Sequence, residues 1–121
     1  DSSLSYYPLI KPGERFPVAD PQKEPVLKPV PKERSEFLKG ILQGISVVER
    51  DGFSVLTELG APPPRQVWTC GGGSRNDVWN QLRQRKLREA FGDQVVVDRA
   101  TNTEASYGAA VVAASSFWHQ K

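Results

Sequence analysis

The placement of proline constrains this chain more than any other feature. Seven of its ten prolines (Pro8, Pro12, Pro17, Pro21, Pro25, Pro29, Pro31) fall in the first 31 residues, and the other three are consecutive, Pro62 to Pro64. Proline lacks an amide hydrogen and fixes φ, so a segment carrying it about every fourth residue supplies neither helices nor central strands. The sequence therefore divides into an extended arm, residues 1–31, and a foldable remainder, residues 32–121. Tyr6, Tyr7, Leu9, Ile10, Phe16 and Val18 make the arm more apolar than a plain linker, so it is expected to dock on the rest. Past Pro25 the apolar content thins, and Pro29-Val30-Pro31 favours polyproline II geometry.

At 121 residues and 13.4 kDa the chain forms one domain at most. A compact monomer of that mass exposes roughly 6,500 Å². No apolar run approaches the roughly 18–20 residues of a membrane span. The first residues, Asp1 to Tyr6, have neither the basic flank nor the apolar stretch of a secretory signal. The sequence contains no Met, which points to a segment of something longer. A single cysteine, Cys70, excludes an internal disulfide and favours a reducing compartment, the cytoplasm or an organelle stroma. Sixteen basic against fourteen acidic residues give +2, too balanced to indicate a nucleic-acid or membrane-surface binder.

From Lys32 to Leu59, Phe37, Leu38, Ile41, Leu42, Ile45, Val48, Phe53, Leu56 and Leu59 recur at helical steps. Gly40 and Gly44 share that face and permit close approach of another element; Gly60 and the proline run end the helix. Gln66 to Cys70 reads as a buried strand. A second helix over 75–91 carries a stripe of Val78, Trp79, Leu82, Leu87 and Ala90, Gly92-Asp93 turns, and Val95 to Val97 is a second strand. Thr101-x-x-Glu104 fits a capping box opening a last helix from Asn102 to about Trp118, whose small-residue face (Ala105, Gly108, Ala109, Val112, Ala113) suits tight packing. Helix, strand, helix, strand, helix implies an α/β sheet with parallel neighbours. Two parallel strands do not stand alone in water, so further strands are required from elsewhere.

The informative stretch is Cys70-Gly71-Gly72-Gly73-Ser74-Arg75-Asn76, where a strand hands over to a helix. Glycines there let a ligand approach backbone closely, and a helix start offers free amides and a positive dipole. A phosphate-binding P-loop needs a Gly-Lys-Ser/Thr ending, which the chain lacks. A dinucleotide fingerprint would use Gly71, Gly73 and Asp98, but its third glycine is replaced by Asn76 and Trp79 is bulky for the first helical turn. A bare triple glycine is also compatible with a tight turn and nothing more.

The wider string, Gly71-Gly72-Gly73-Ser74-Arg75-Asn76-x-x-Trp79, a helix, a Val-rich strand, then Glu104-Ala105-Ser106-Tyr107-Gly108-Ala109-Ala110, resembles the C-terminal lobe of the FGGY carbohydrate kinases. Upstream, Tyr6-Tyr7-Pro8-Leu9, Gly13-Glu14-Arg15-Phe16-Pro17 and the Glu36-to-Gly44 helix look like the branch containing D-ribulokinase and xylulokinase-like proteins. The connection Arg88 to Gln94 is longer than that branch leads one to expect. The resemblance covers essentially the whole chain. It implies a partial actin-like ATPase (ribonuclease-H-like) lobe, and a segment of an ATP-dependent sugar kinase acting on a ketopentose such as D-ribulose or D-xylulose. Gly72 and Gly73 would present backbone to adenine or ribose, Asn76 would hydrogen-bond the base, Trp79 would flank it, and Gly71 would shape the turn.

The family's catalytic motifs are missing: no Asp-x-Gly-Thr phosphate loop, no second phosphate loop and no recognisable aspartate base. The chain is therefore expected to be inactive alone, with no catalytic and no metal-binding residue. Sugar contacts and most contacts to the Mg²⁺ that accompanies ATP are assigned to the remaining N-terminal part of the kinase. Two other readings stand beside this one: a Rossmann-like module binding NAD, and a non-enzymatic interaction domain. Bland readings cover the other candidates. Asn76 can simply open a helix and Trp79 can be a core aromatic; Arg83-x-Arg85-Lys86-x-Arg88 reads as a solvated helix face, Cys70 as a buried strand-end thiol, His119 as exposed, and Glu104 as part of the capping box.

Overall fold

The computed structural model describes residues 2–118; His119 lies outside them. Five elements follow the arm in the expected order: α1 (Arg34–Glu58), β1 (Gln66–Thr69), α2 (Asp77–Phe91), β2 (Val96–Arg99) and α3 (Ala105–Trp118). A short 3-10 turn, Gly72–Arg75, joins β1 to α2. Helix α1 stops where Gly60 takes φ +100°, a conformation that favours glycine. There the amides of Leu59, Gly60 and Ala61 fold back on the carbonyls of Val55, Thr57 and Leu56.

β1 and β2 run parallel, with Gln66 opposite Val96 and Thr69 opposite Arg99. One face of this pair holds the core: Val67, Val95 and Val97 pack with Leu87 of α2, and Phe53 of α1 and Phe91 lie against them. Burial of such side chains contributes about 1.5–3 kcal/mol each. The opposite face is open, with Trp68 63% exposed. The two edges also differ. On β2, the Val95 carbonyl accepts from Arg88 Nε and the Val97 amide donates to Gln84 Oε1, so side chains of α2 occupy that edge. On β1, Arg65 and Thr69 carbonyls accept from Val96 and Ala100, which by parallel alternation turns the backbone groups of Gln66 and Trp68 towards the other edge.

The apolar stripe expected along α1 is only partly covered. Leu38, Ile45, Leu56 and Leu59 are exposed, while the buried positions are small: Gly40, Gly44, Ser46 and Gly52. Against the glycines lies the arm. A Cβ on Gly40 would stand 2.9 Å from the Tyr6 ring, one on Gly44 2.5 Å from the Tyr6 carbonyl oxygen, and one on Gly52 2.7 Å from the Phe16 ring. Tyr6, 5% exposed, packs edge-on to Phe37 with ring centroids 5.6 Å apart, and its hydroxyl donates to the Pro29 carbonyl. The arm doubles back on itself: Tyr7 and Val26 exchange backbone hydrogen bonds, as do Glu14 and Asp20.

Two local expectations require correction. Val78, placed in the buried stripe of α2, is 76% exposed and Ala90 is exposed as well; of that stripe Leu82 and Leu87 are buried and Trp79 is half-buried. The capping box does not form. The Thr103 carbonyl accepts from the Gly71 amide and Asn102 Oδ1 accepts from the Glu104 amide, which holds 102–104 outside the helix. The small-residue face of α3 is open to solvent in this chain; residues 105–115 are all exposed. The chain as a whole exposes 8838 Å², well above the roughly 6,500 Å² of a compact monomer of its mass.

Candidate functional site

The glycine turn lies at the carboxyl end of the parallel strands, where ligand crevices of open α/β sheets form. Gly71 takes φ +74° and its amide donates to the Thr103 carbonyl at 2.8 Å, tying the turn to the segment after β2. Ser74, fully buried, closes the turn from inside: its amide and its hydroxyl both donate to the Gly71 carbonyl. The Ser74 carbonyl in turn accepts from Asn80 Nδ2 at 2.8 Å and from Arg99 Nε at 3.0 Å. Arg99 also pairs with Asp77 at 2.9 Å, so β2 and the start of α2 hold the turn jointly.

Gly72, Gly73, Asn76 and Trp79 are thus brought together within this turn and the first turn of α2, in distinct environments. Cβ positions built on Gly71 and Gly72 meet nothing within 4 Å, so their backbone faces open space. Gly73 is different: a Cβ there would stand 2.7 Å from the six-membered ring of Trp79. Asn76 caps α2, its Oδ1 accepting from the Trp79 amide at 3.0 Å, and the exposed side chain leaves Nδ2 as a donor at the surface. Trp79 is half-buried, and its Nε1 donates to Ser46 Oγ of α1 at 3.1 Å.

Two open grooves flank the turn. One, about 350 Å³, lies towards α1 and is bordered by Ile45, Glu49, Cys70, Trp79 and Arg83. The other, about 520 Å³, lies between α2 and the end of β2, bordered by Asp77, Asn80, Gln84, Asp98 and Arg99. Cys70 is exposed rather than buried, since β1 ends at Thr69 and the next residue enters the turn. Asp98, the residue a dinucleotide reading requires, accepts from Gln66 Nε2 at 2.8 Å.

The family model for the C-terminal domain of the FGGY family of carbohydrate kinases matches residues 2–117. The chain belongs to that family. Its α/β architecture is that of part of an FGGY C-terminal, actin-like ATPase lobe, and the family's chemistry is phosphoryl transfer to carbohydrate. FGGY sugar kinases use ATP, and a C-terminal domain of such a kinase implies an N-terminal partner domain. Among the described residues no helix is long and apolar enough to cross a membrane.

The basic run on α2 overturns its sequence reading as a solvated face. Arg83, its side chain only 12% exposed, grips Glu49 of α1 with two bonds (Nε to Oε2 2.7 Å, NH2 to Oε1 2.6 Å) and reaches Thr69 Oγ1 at 2.8 Å. The hydrogen bond to Glu49 raises the pKa of Arg83 above its ordinary value, against the opposing effect of burial. Lys86 pairs with Glu89, and Arg88 bonds the Val95 carbonyl. Sequence reasoning missed Ser46, Glu49, Asn80 and Arg99 altogether and took Arg83 for part of a solvated face. The available signal was spacing: Asn76, Asn80 and Arg83 share one face of α2, as Ser46 and Glu49 share one face of α1.

Proposed function

We propose that this chain supplies the adenosine side of the cleft in an ATP-dependent sugar kinase, with Gly72, Gly73, Asn76 and Trp79 as its contacts. The observation that supports it most is the open backbone of Gly71 and Gly72 beside an exposed Asn76 amide, at the start of a helix. The glycines leave room for a planar base, and Asn76 Nδ2 can donate to a ring nitrogen of adenine while Oδ1 holds the helix. ATP bound there supplies the phosphoryl group. The chain's own residues hold and orient its nucleoside end, so phosphate and sugar meet in a fixed geometry.

The acceptor is proposed to be a ketopentose, D-ribulose or D-xylulose, on the likeness of Tyr6-Tyr7-Pro8-Leu9 and Gly13 to Pro17 to that branch. The sugar and the Mg²⁺ accompanying ATP are assigned to the N-terminal part of the kinase, working in the cytoplasm or a stroma. Among the described residues no group of three His, Cys, Asp or Glu could hold a metal ion. The preceding polypeptide is proposed to add its strands at the Gln66–Trp68 edge of β1, because Gln84 and Arg88 close the edge of β2.

Asn76→Asp in the intact kinase tests the adenosine assignment. Aspartate keeps the cap on the Trp79 amide and suits a helix start, but it removes the Nδ2 donor. Calorimetric titration with ATP is expected to show roughly a tenfold loss of affinity with the melting temperature maintained. Unchanged ATP affinity would show that adenosine binds elsewhere.

A further inference from the structure

The indole of Trp79 is fixed on three sides, two of them by residues to which no ligand contact is assigned. Its Nε1 donates to Ser46 Oγ, which is fully buried on α1 and donates onward to the Leu42 carbonyl at 2.8 Å. Its six-membered ring lies against Gly73, where only the absence of a Cβ permits the approach. The Arg83 guanidinium stands 5.7 Å from the ring centroid, anchored by two bonds to Glu49 and one to Thr69. α1 therefore grips the ring, and the ring sets where the middle of the glycine turn can lie.

We infer that Ser46, Glu49 and Arg83 are positioning residues for the nucleotide turn, acting through Trp79 on Gly73. The inference rests on the adenosine reading above and deepens it. None of the three needs to touch ATP. Ser46 fixes the rotation of the indole, because its buried hydroxyl has its proton committed to Leu42 and keeps a lone pair for Nε1. Glu49 fixes the guanidinium, since a bidentate carboxylate–arginine pair defines a plane as well as a distance. If either hold is released, the indole gains rotational freedom and Gly73 loses the surface against which it rests. The backbone that faces the base is then no longer preorganised, and binding must order it. Chemistry on the bound substrates is untouched, so the loss belongs in ATP binding and not in turnover.

Steady-state kinetics of the intact kinase carrying Ser46→Ala, Trp79→Phe, and both together test this. Each single variant removes the same indole–hydroxyl bond while leaving an aromatic ring or a small side chain in place. Ser46→Ala is expected to raise KM for ATP roughly three- to tenfold, with kcat within about twofold and KM for the sugar unchanged; Trp79→Phe, which also alters the surface flanking the base, is expected to raise it at least as much. The double variant is expected to be no worse than the worse single one, since the bond is already gone. Glu49→Gln is expected to raise KM for ATP by a smaller factor.

Multiplicative effects in the double variant would overturn the coupling. A fall in melting temperature without any change in KM for ATP would reduce these residues to ordinary packing and overturn the inference. If Asn76→Asp weakens ATP binding while these variants do not, the Asn76 contact stands, and the positioning role fails together with the Trp79 contact. If none of the four substitutions moves ATP binding, both fall together.

Discussion

The arm contains almost no regular secondary structure, yet its Leu4 and Tyr6 are among the buried hydrophobic residues of the chain. Helix α3 is regular from Ala105 to Trp118, yet every residue from 105 to 115 is exposed. Burial here follows complementary shape. Gly40, Gly44 and Gly52 leave a groove along α1 that accepts Tyr6, Pro8 and Phe16, and the arm satisfies part of its own backbone by doubling back. α3 leaves its alanine, glycine and valine residues exposed from 105 to 115. A helix of that length is marginal in water on its own, and most helix stability in proteins comes from packing an apolar face. The arm is therefore bound within this chain, whereas α3 keeps its small-residue face exposed.

Replacing Gly44 by valine attacks the first half of that contrast most directly. The new Cβ would stand 2.5 Å from the Tyr6 carbonyl oxygen, which is backbone and has little room to move. Arm and helix must separate, at an expected cost of about 3 kcal/mol, read from the denaturant midpoint of the intact kinase. An unchanged midpoint would mean that the arm contributes nothing to stability where it lies.

Glycine also gives a sharper way to separate the two regions, because Gly108 of α3 has nothing within 4 Å of a built Cβ. In the isolated domain, Gly108→Ala is expected to favour the helix by about 0.5–1 kcal/mol, seen as a gain in helical circular dichroism. In the intact kinase the sign is expected to reverse, because a small-residue face that receives a neighbouring element has no space for the methyl group. A rise in melting temperature in both settings would show that α3 faces solvent in the kinase as well, and the contrast would then concern exposure alone.

The order of elements and the turn at Gly71–Gly73 were legible because periodicity and glycine placement are local signals. The glycines at 40 and 44 likewise announced a close approach, since glycine inside a helix is costly without one. The partners across the fold were not legible. Arg83 looks like any surface arginine until α1 brings Glu49 beside it, and Cys70 looked buried because strand and turn meet one residue earlier than the apolar run suggests. The capping box failed for the same reason: the pattern Thr101-x-x-Glu104 is local, but the Thr103 carbonyl is drawn to Gly71 from across the site. Site residues of the turn and the start of α2, Trp79 included, were visible; the α1 residues that hold Trp79 and Arg83 were not.

The smallest expected effect lies in the arm and depends on pH. Glu14 accepts from the Arg15 amide at 2.8 Å, from the Phe16 amide at 3.4 Å and from the Tyr7 hydroxyl at 3.1 Å. These bonds, the Arg15 amide foremost, hold its carboxyl below the ordinary value of 4.5, against a smaller opposing effect of burial. A carboxylate whose pKa is lower in the folded state contributes stability that is fully present above its unfolded value and is lost as pH falls through the lowered one. The loop from Tyr7 to Val26 is therefore expected to loosen only below pH 4.5. The Arg15 amide resonance in an NMR titration should move with the Glu14 carboxyl, with a midpoint below that value. Glu14→Gln keeps an acceptor and removes the charge, so the pH step should vanish while the loop remains closed. If the amides of α3 shift at the same midpoint, the transition is general acid unfolding. Glu14 is then no local clasp, and the arm's order depends on its contacts with α1 alone.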